Sequence, residues 1–115
     1  MHYLLMIYSD EATASQMTDA DAQAEMAAYG AYAGAMAQAG VLVGGERLRP
    51  TADATSVRIR GGKTELLNGP YADTREQLGG YFMVDVPDLD AALHWAARCP
   101  SAPTGTIEVR PVWKM

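Results

Sequence analysis

The sequence predicts a single α+β domain in which a βαββαβ core carries an inserted β-hairpin. Three observations point to it. Short runs rich in branched and aromatic residues end at turn residues, two stretches repeat apolar residues every three or four positions, and a Gly61-Gly62 pair separates two extended segments. A length of 115 residues, 49% hydrophobic and 20% charged, suits one core, so residues 1–115 are expected to form one domain.

The elements follow in order. "HYLLMIY" reads as a strand with two apolar faces, Tyr3, Leu5 and Ile7 on one and Leu4, Met6 and Tyr8 on the other. From Thr18 the spacing becomes helical. Ala22, Met26, Tyr29, Ala33 and Met36 form a stripe, with Thr18 and Asp21 as a capping box and Gly40 as the stop. "VLVGGERL" reads as a second strand bent at its glycines.

"ATSVRIR" alternates Val57 and Ile59 with Ser56, Arg58 and Arg60. The Gly61-Gly62 pair then supplies the positive backbone dihedrals of a tight hairpin before "KTELL". "GGYFMVDV" is a further strand. Pro87-Asp88 opens a second helix with apolar positions Leu89, Ala92, Leu93 and Ala96, and Pro100 stops it. "TIEVRPVW" is the last strand. This order matches the ferredoxin-like split βαβ arrangement. Two helices cover only one face of such a sheet, whereas the first and fourth strands are apolar on both faces. A second copy in a two-fold homodimer is the expected cover.

Charge and composition narrow the function. A formal net charge of -5 carries no electrostatic footprint for nucleic acid. The single cysteine, Cys99, can form neither an intramolecular disulfide nor a cysteine zinc cluster, which fits a reducing cytoplasm. "MHYLLMIYSDE" lacks a basic leader, and its apolar run is too short for a signal core or a membrane span, so a soluble cytoplasmic protein is expected. His2 and His94 have no partner at metal-ligand spacing. No nucleophile elbow, P-loop or dinucleotide fingerprint occurs, and neither a metal nor another cofactor is expected.

The densest polar chemistry lies in "NGPYADTREQLGGY". Asn68-Gly69 and Pro70 turn and stiffen the chain, and Tyr71, Asp73, Thr74, Arg75, Glu76 and Gln77 then supply an aromatic wall, two carboxylates, a hydroxyl, a guanidinium and an amide. This run is either a plain connection or a ligand loop. As a connection, it would have Asp73 cap a helical turn over residues 74–77 with Glu76 completing the box. As a ligand loop, it would offer Asp73 and Glu76 as acceptors or bases. Glu108 and Arg110 share one face of the last strand, and Arg58 lies on the polar face of the hairpin. These are either cross-strand ion pairs on an exposed face or the wall of a pocket between sheet and loop.

"NGPYADTREQLGGYFMVDVPDLDAALHWAARCP", followed by "GTIEVRPV", closely resembles the DGPF-domain branch of the YCII-related proteins, and "HYLLMIY" with "AGVLVGGERLRP" is similar to that family's first half. The resemblance covers nearly the whole chain. It implies a ferredoxin-like fold that pairs as a dimeric α/β barrel. The signature aspartate of the motif is Asn68 here and its phenylalanine is Tyr71. Some YCII-related members carry a His-Asp catalytic pair, and one branch acts as a dehydrochlorinase on a chlorinated hydroxyquinol. The resemblance puts their histidine at Tyr29 and their aspartate at Cys99, so both catalytic types are absent. DGPF-type proteins also resemble companions of extracytoplasmic-function sigma factors, which implies a regulatory or ligand-sensing role.

Two functions from different classes follow. One is a dimeric accessory protein that binds a small polar or aromatic molecule between the sheet and the 68–80 loop. The other is a metal-independent lyase or isomerase. The candidate ligand residues are Tyr29, Arg58, Tyr71, Asp73, Glu76, Glu108 and Arg110, and the missing His-Asp pair favours binding.

Overall fold

A computed structural model describes residues 1–114. The chain forms β1 (His2–Ser9), α1 (Glu11–Ala14), α2 (Asp19–Gln38), β2 (Leu42–Arg47), β3 (Thr55–Arg60), β4 (Lys63–Asn68), β5 (Gln77–Asp85), α3 (Leu89–Ala97) and β6 (Thr106–Pro111). A 3-10 turn lies at Thr51–Asp53. The main sheet has the order β2-β5-β1-β6 with antiparallel neighbours, while β3 and β4 pair separately. The units β1-α2-β2 and β5-α3-β6 therefore interleave, as in a ferredoxin-like α+β fold.

Local chemistry sets the helix ends. Thr18 accepts from the Asp21 amide at 3.1 Å while the Asp21 carboxylate accepts from the Thr18 amide, which is the capping box the sequence predicts. At the other end Gly40 sits at φ 73°, and the amides of Gly40 and Val41 return to the carbonyls of Ala37 and Met36. That is a Schellman stop, and it needs the left-handed backbone that glycine reaches without a Cβ clash. Asp88 caps α3 by accepting from the Ala91 amide at 2.9 Å.

The core lies between one sheet face and the two longer helices. Tyr3, Leu5 and Ile7 of β1 and Val84 of β5 pack with Tyr32 and Met36 of α2 and with Ala92, Trp95 and Ala96 of α3. Each expected helical stripe meets the core only in part, through Tyr29 and Met36 on α2 and through Ala92 and Ala96 on α3. On α2 every residue from Asp19 to Ala28 is exposed, Ala22 and Met26 included, and Tyr32 is buried instead. The helix is longer than the sheet surface offered to it, so only its second half meets the core. On α3 the buried positions are Ala92, Trp95 and Ala96, leading on to Cys99, whereas Leu89 and Leu93 are left exposed. Trp95 carries more apolar area than either leucine, and its face wins the contact.

The expected helical turn over residues 74–77 does not form. Gln77 and Leu78 are paired with Ser9 and Tyr8, so the chain is extended there and β5 starts two residues before Gly79. Sheet pairing outcompetes the local cap, and Asp73 caps no helix. Among the described residues, no helix is long and apolar enough to cross a membrane.

Candidate functional site

Three places hold four of the seven candidate side chains, Tyr29, Glu76, Glu108 and Arg110. The first is a notch at one end of the sheet. Asp10 follows β1 and caps α1, Thr13 lies in that short helix, Arg75 and Glu76 come from the loop before β5, and Thr104 precedes β6. Together they line an open cavity of about 490 Å³. The loop is tied down by its own bonds: Thr74 Oγ1 donates to the Glu76 carbonyl, and Gln77 donates to the Thr74 carbonyl while accepting from the Glu11 amide at 3.0 Å. Glu76 Oε1 accepts from Thr106 Oγ1 at 2.8 Å, which holds the carboxylate against β6. Among the described residues no cluster of three or more His, Cys, Asp or Glu side chains is placed to hold a metal ion.

The second place lies under α2. Tyr29 stacks on Phe82, with ring centres 6.4 Å apart, and meets Tyr32 edge to face at 6.5 Å. Its hydroxyl is hydrogen-bonded to Ser101 Oγ and lies 3.5 Å from Cys99 Sγ. Tyr32 donates to the Trp95 carbonyl at 2.7 Å. Burial pushes both tyrosine hydroxyls well above their ordinary pKa, and for Tyr29 the Ser101 bond offsets this only in part. Both are therefore neutral hydrogen-bonding groups at physiological pH. Beside them Ala28, Ala31, Tyr32, Arg98 and Pro100 line a second open groove of about 490 Å³, where the Arg98 guanidinium stands 4.5 Å from the centre of the Trp95 ring.

The third place is the sheet face away from the helices. The strand registers align Gly44, Met83, Leu4 and Arg110 in one row, and Glu46, Tyr81, Met6 and Glu108 in the next. Arg110 donates to Glu108 on the same strand. Among the described residues, no helix covers this face.

The seven candidate residues thus do not converge on one pocket within the chain. Glu76 lies in the notch and Tyr29 lies among the helices. Glu108 and Arg110 pair on the uncovered sheet face, and Arg58 pairs with Glu65 across the hairpin at 2.7 Å. Tyr71 and Asp73 are exposed on the loop. Sequence reasoning missed Asp10, Thr13 and Thr104, which only the meeting of strand ends brings to Glu76. It also missed Ser101, although that residue stands two positions after Cys99 and just past the proline that stops α3.

The family model of the YCII-related domain matches residues 1–115. The chain belongs to the YCII-related family. It is also similar to "Uncharacterized protein R00369" of Rhizobium meliloti (strain 1021), with 35% identity over 114 residues, which is 97% of this chain and 92% of that protein. In this YCII-related protein the two positions to which the resemblance carries the family's histidine and aspartate are in contact, occupied by Tyr29 and Cys99. Burial drives the Tyr29 hydroxyl upward, so it is no base near neutral pH, and Cys99 is a buried free thiol.

Proposed function

We propose that this YCII-related protein, a DGPF-type member, is a homodimeric binding protein that takes a small polar molecule in the notch between the sheet end and the 68–80 loop. The observation that carries the reading is the lining of that notch. Asp10, Arg75 and Glu76 bring both signs of charge together with the hydroxyls of Thr13 and Thr104, from three separate segments of the chain. Such a set suits a ligand with an anionic group for the guanidinium and an amine or hydroxyl for the carboxylates. Tyr71, exposed on the same loop, is available to lie against an aromatic ring.

A lyase or isomerase of the family's His-Asp type needs a proton acceptor near neutral pH, and the Tyr29 and Cys99 pairing supports binding over that chemistry. The second copy is expected on the uncovered sheet face, where Leu4, Met6, Tyr8, Tyr81 and Met83 are only half-buried. A companion role beside a sigma factor, as the resemblance implies, is compatible with a ligand sensor of this kind.

The test is a thermal-shift screen of zwitterionic and hydroxylated metabolites against the wild type, Arg75→Ala and Glu76→Ala. Hits that stabilise the wild type and lose at least half of that shift in both variants support the notch. Hits whose shift is the same in all three proteins remove it from the binding site.

A further inference from the structure

The hairpin of β3 and β4 is an arm with one greasy side and nothing on it. The register sets Val57 opposite Leu66 and Ile59 opposite Thr64, so Val57, Ile59 and Leu66 share a face. They are 65%, 64% and 69% exposed, whereas Ser56 and Arg58 on the polar face are partly covered. This inverts the usual order for a hairpin lying on its own domain. The tip turns through Gly61 and Gly62 at φ 57° and 76°, and the base is held by the Gly69 amide donating to the Ala54 carbonyl at 2.7 Å and by Ser56 Oγ donating to the Gly69 carbonyl. A two-stranded hairpin with no apolar cover is marginal in water.

The dimensions of the chain say how much cover is missing. Its radius of gyration is 16.0 Å and its extents are 48 × 43 × 18 Å, where a compact chain of this length has a radius of about 13 Å. Its accessible surface is 8222 Å², roughly 2,000 Å² above that of a monomeric protein of this mass. An excess of that size per chain matches what obligate homodimers bury.

Charge points to the same occupant. Arg58, Arg60 and Lys63 against Glu65 give the arm two net positive charges, which leaves the rest of a chain of net charge -5 with seven net negative ones. These four charges lie on the face opposite Val57, Ile59 and Leu66, so they act as a long-range field that draws the arm towards the acidic body of another molecule of the same kind, not as contacts of the apolar face. We propose that the arm is a dimer clasp, whose Val57, Ile59 and Leu66 face seats on a second copy of this chain while that copy's arm seats on the first. Two-fold symmetry makes the exchange reciprocal and closed. The clasp rests on the homodimer proposed above.

The test compares the wild type with the double variant Val57→Asp/Leu66→Asp by sedimentation across a concentration series. Both side chains are exposed within one chain, so the monomer should keep its far-UV circular dichroism. The dimer dissociation constant should rise at least about 100-fold, because the exchange places both aspartates in each half of the interface. A variant that dimerises as tightly as the wild type overturns the clasp and leaves the sheet-face dimer standing. A wild type that remains monomeric throughout removes both. Hydrogen exchange on the wild type is independent of the variant's folding: amides of residues 55–68 should slow on dimer formation, and unchanged exchange would overturn the clasp.

Discussion

The Tyr29 hydroxyl and the Cys99 sulfur lie 3.5 Å apart although the two residues are 70 positions apart in the chain. The contact exists because α2 and the segment after α3 pack over the same sheet face, and Phe82 beneath the tyrosine ring sets its tilt. Ser101 completes the cluster with a hydrogen bond to the same hydroxyl. The result is a cluster of two hydroxyls and a thiol, joined to the core through Tyr32.

That cluster should make stability depend on alkaline pH. Tyr29 and Tyr32 ionise near pH 10 in the unfolded chain and, because burial disfavours the phenolate, only at higher pH in the folded one. Above pH 10 the unfolded state therefore binds fewer protons than the folded state. The contribution of each tyrosine is intact below pH 10 and is lost as pH rises towards its folded value, at a slope of up to about 1.4 kcal/mol per pH unit. Urea unfolding between pH 9 and 12 should show this decline, and Tyr32→Phe should flatten it. Tyr29→Phe, which also strips Ser101 of its partner, should cost about 1 kcal/mol at neutral pH. An identical pH profile in Tyr32→Phe would count against the burial of that hydroxyl.

The neighbouring glycines of β2 should behave in opposite ways. A Cβ on Gly45 would stand 2.6 Å from the Tyr81 carbonyl oxygen and 2.7 Å from the Phe82 ring, where β2 meets β5, whereas a Cβ on Gly44 meets nothing within 4 Å. Gly45→Ala should destabilise the chain by about 1–3 kcal/mol, since the backbone it strikes is held by the sheet. Gly44→Ala should stay within about 0.5 kcal/mol of wild type. Denaturant melts of the two single variants measure the difference directly, and equal midpoints would show that the approach of β2 to β5 is looser than this geometry.

The two loop carboxylates should also separate. Asp73 is exposed and caps no helix, so Asp73→Ala should change the unfolding free energy by no more than about 0.5 kcal/mol. Glu76 accepts from Thr106 and ties the loop to β6, and Glu76→Ala should cost about 0.5–1.5 kcal/mol. Thermal unfolding at one pH distinguishes them. A loss in Asp73→Ala as large as that in Glu76→Ala would mean that the loop carries a bond through Asp73 as well.

What the amino-acid sequence determined by itself is what short-range chemistry controls. The period-two and period-3.6 patterns place the strands and helices, the Thr18-Asp21 box and Gly40 bound α2, and Gly61-Gly62 turn the hairpin, each within a few bonds of the residues that cause it. The resemblance along the chain marked Tyr29 and Cys99 as equivalent positions. Only the tertiary structure decided that these two touch, that Trp95 rather than Leu89 or Leu93 enters the core, and that Gln77 pairs with Ser9 of β1 while residues 74–76 stay in the loop instead of coiling into a capped turn. It also decided that Glu76 lines one notch with Asp10 and Thr104, while Arg58 points its charge at Glu65 on a projecting arm. The physical reason is the same in each case. Two apolar stripes compete for one sheet face, and a local cap worth about 1 kcal/mol competes with ladder hydrogen bonds that exist only once distant strands have met.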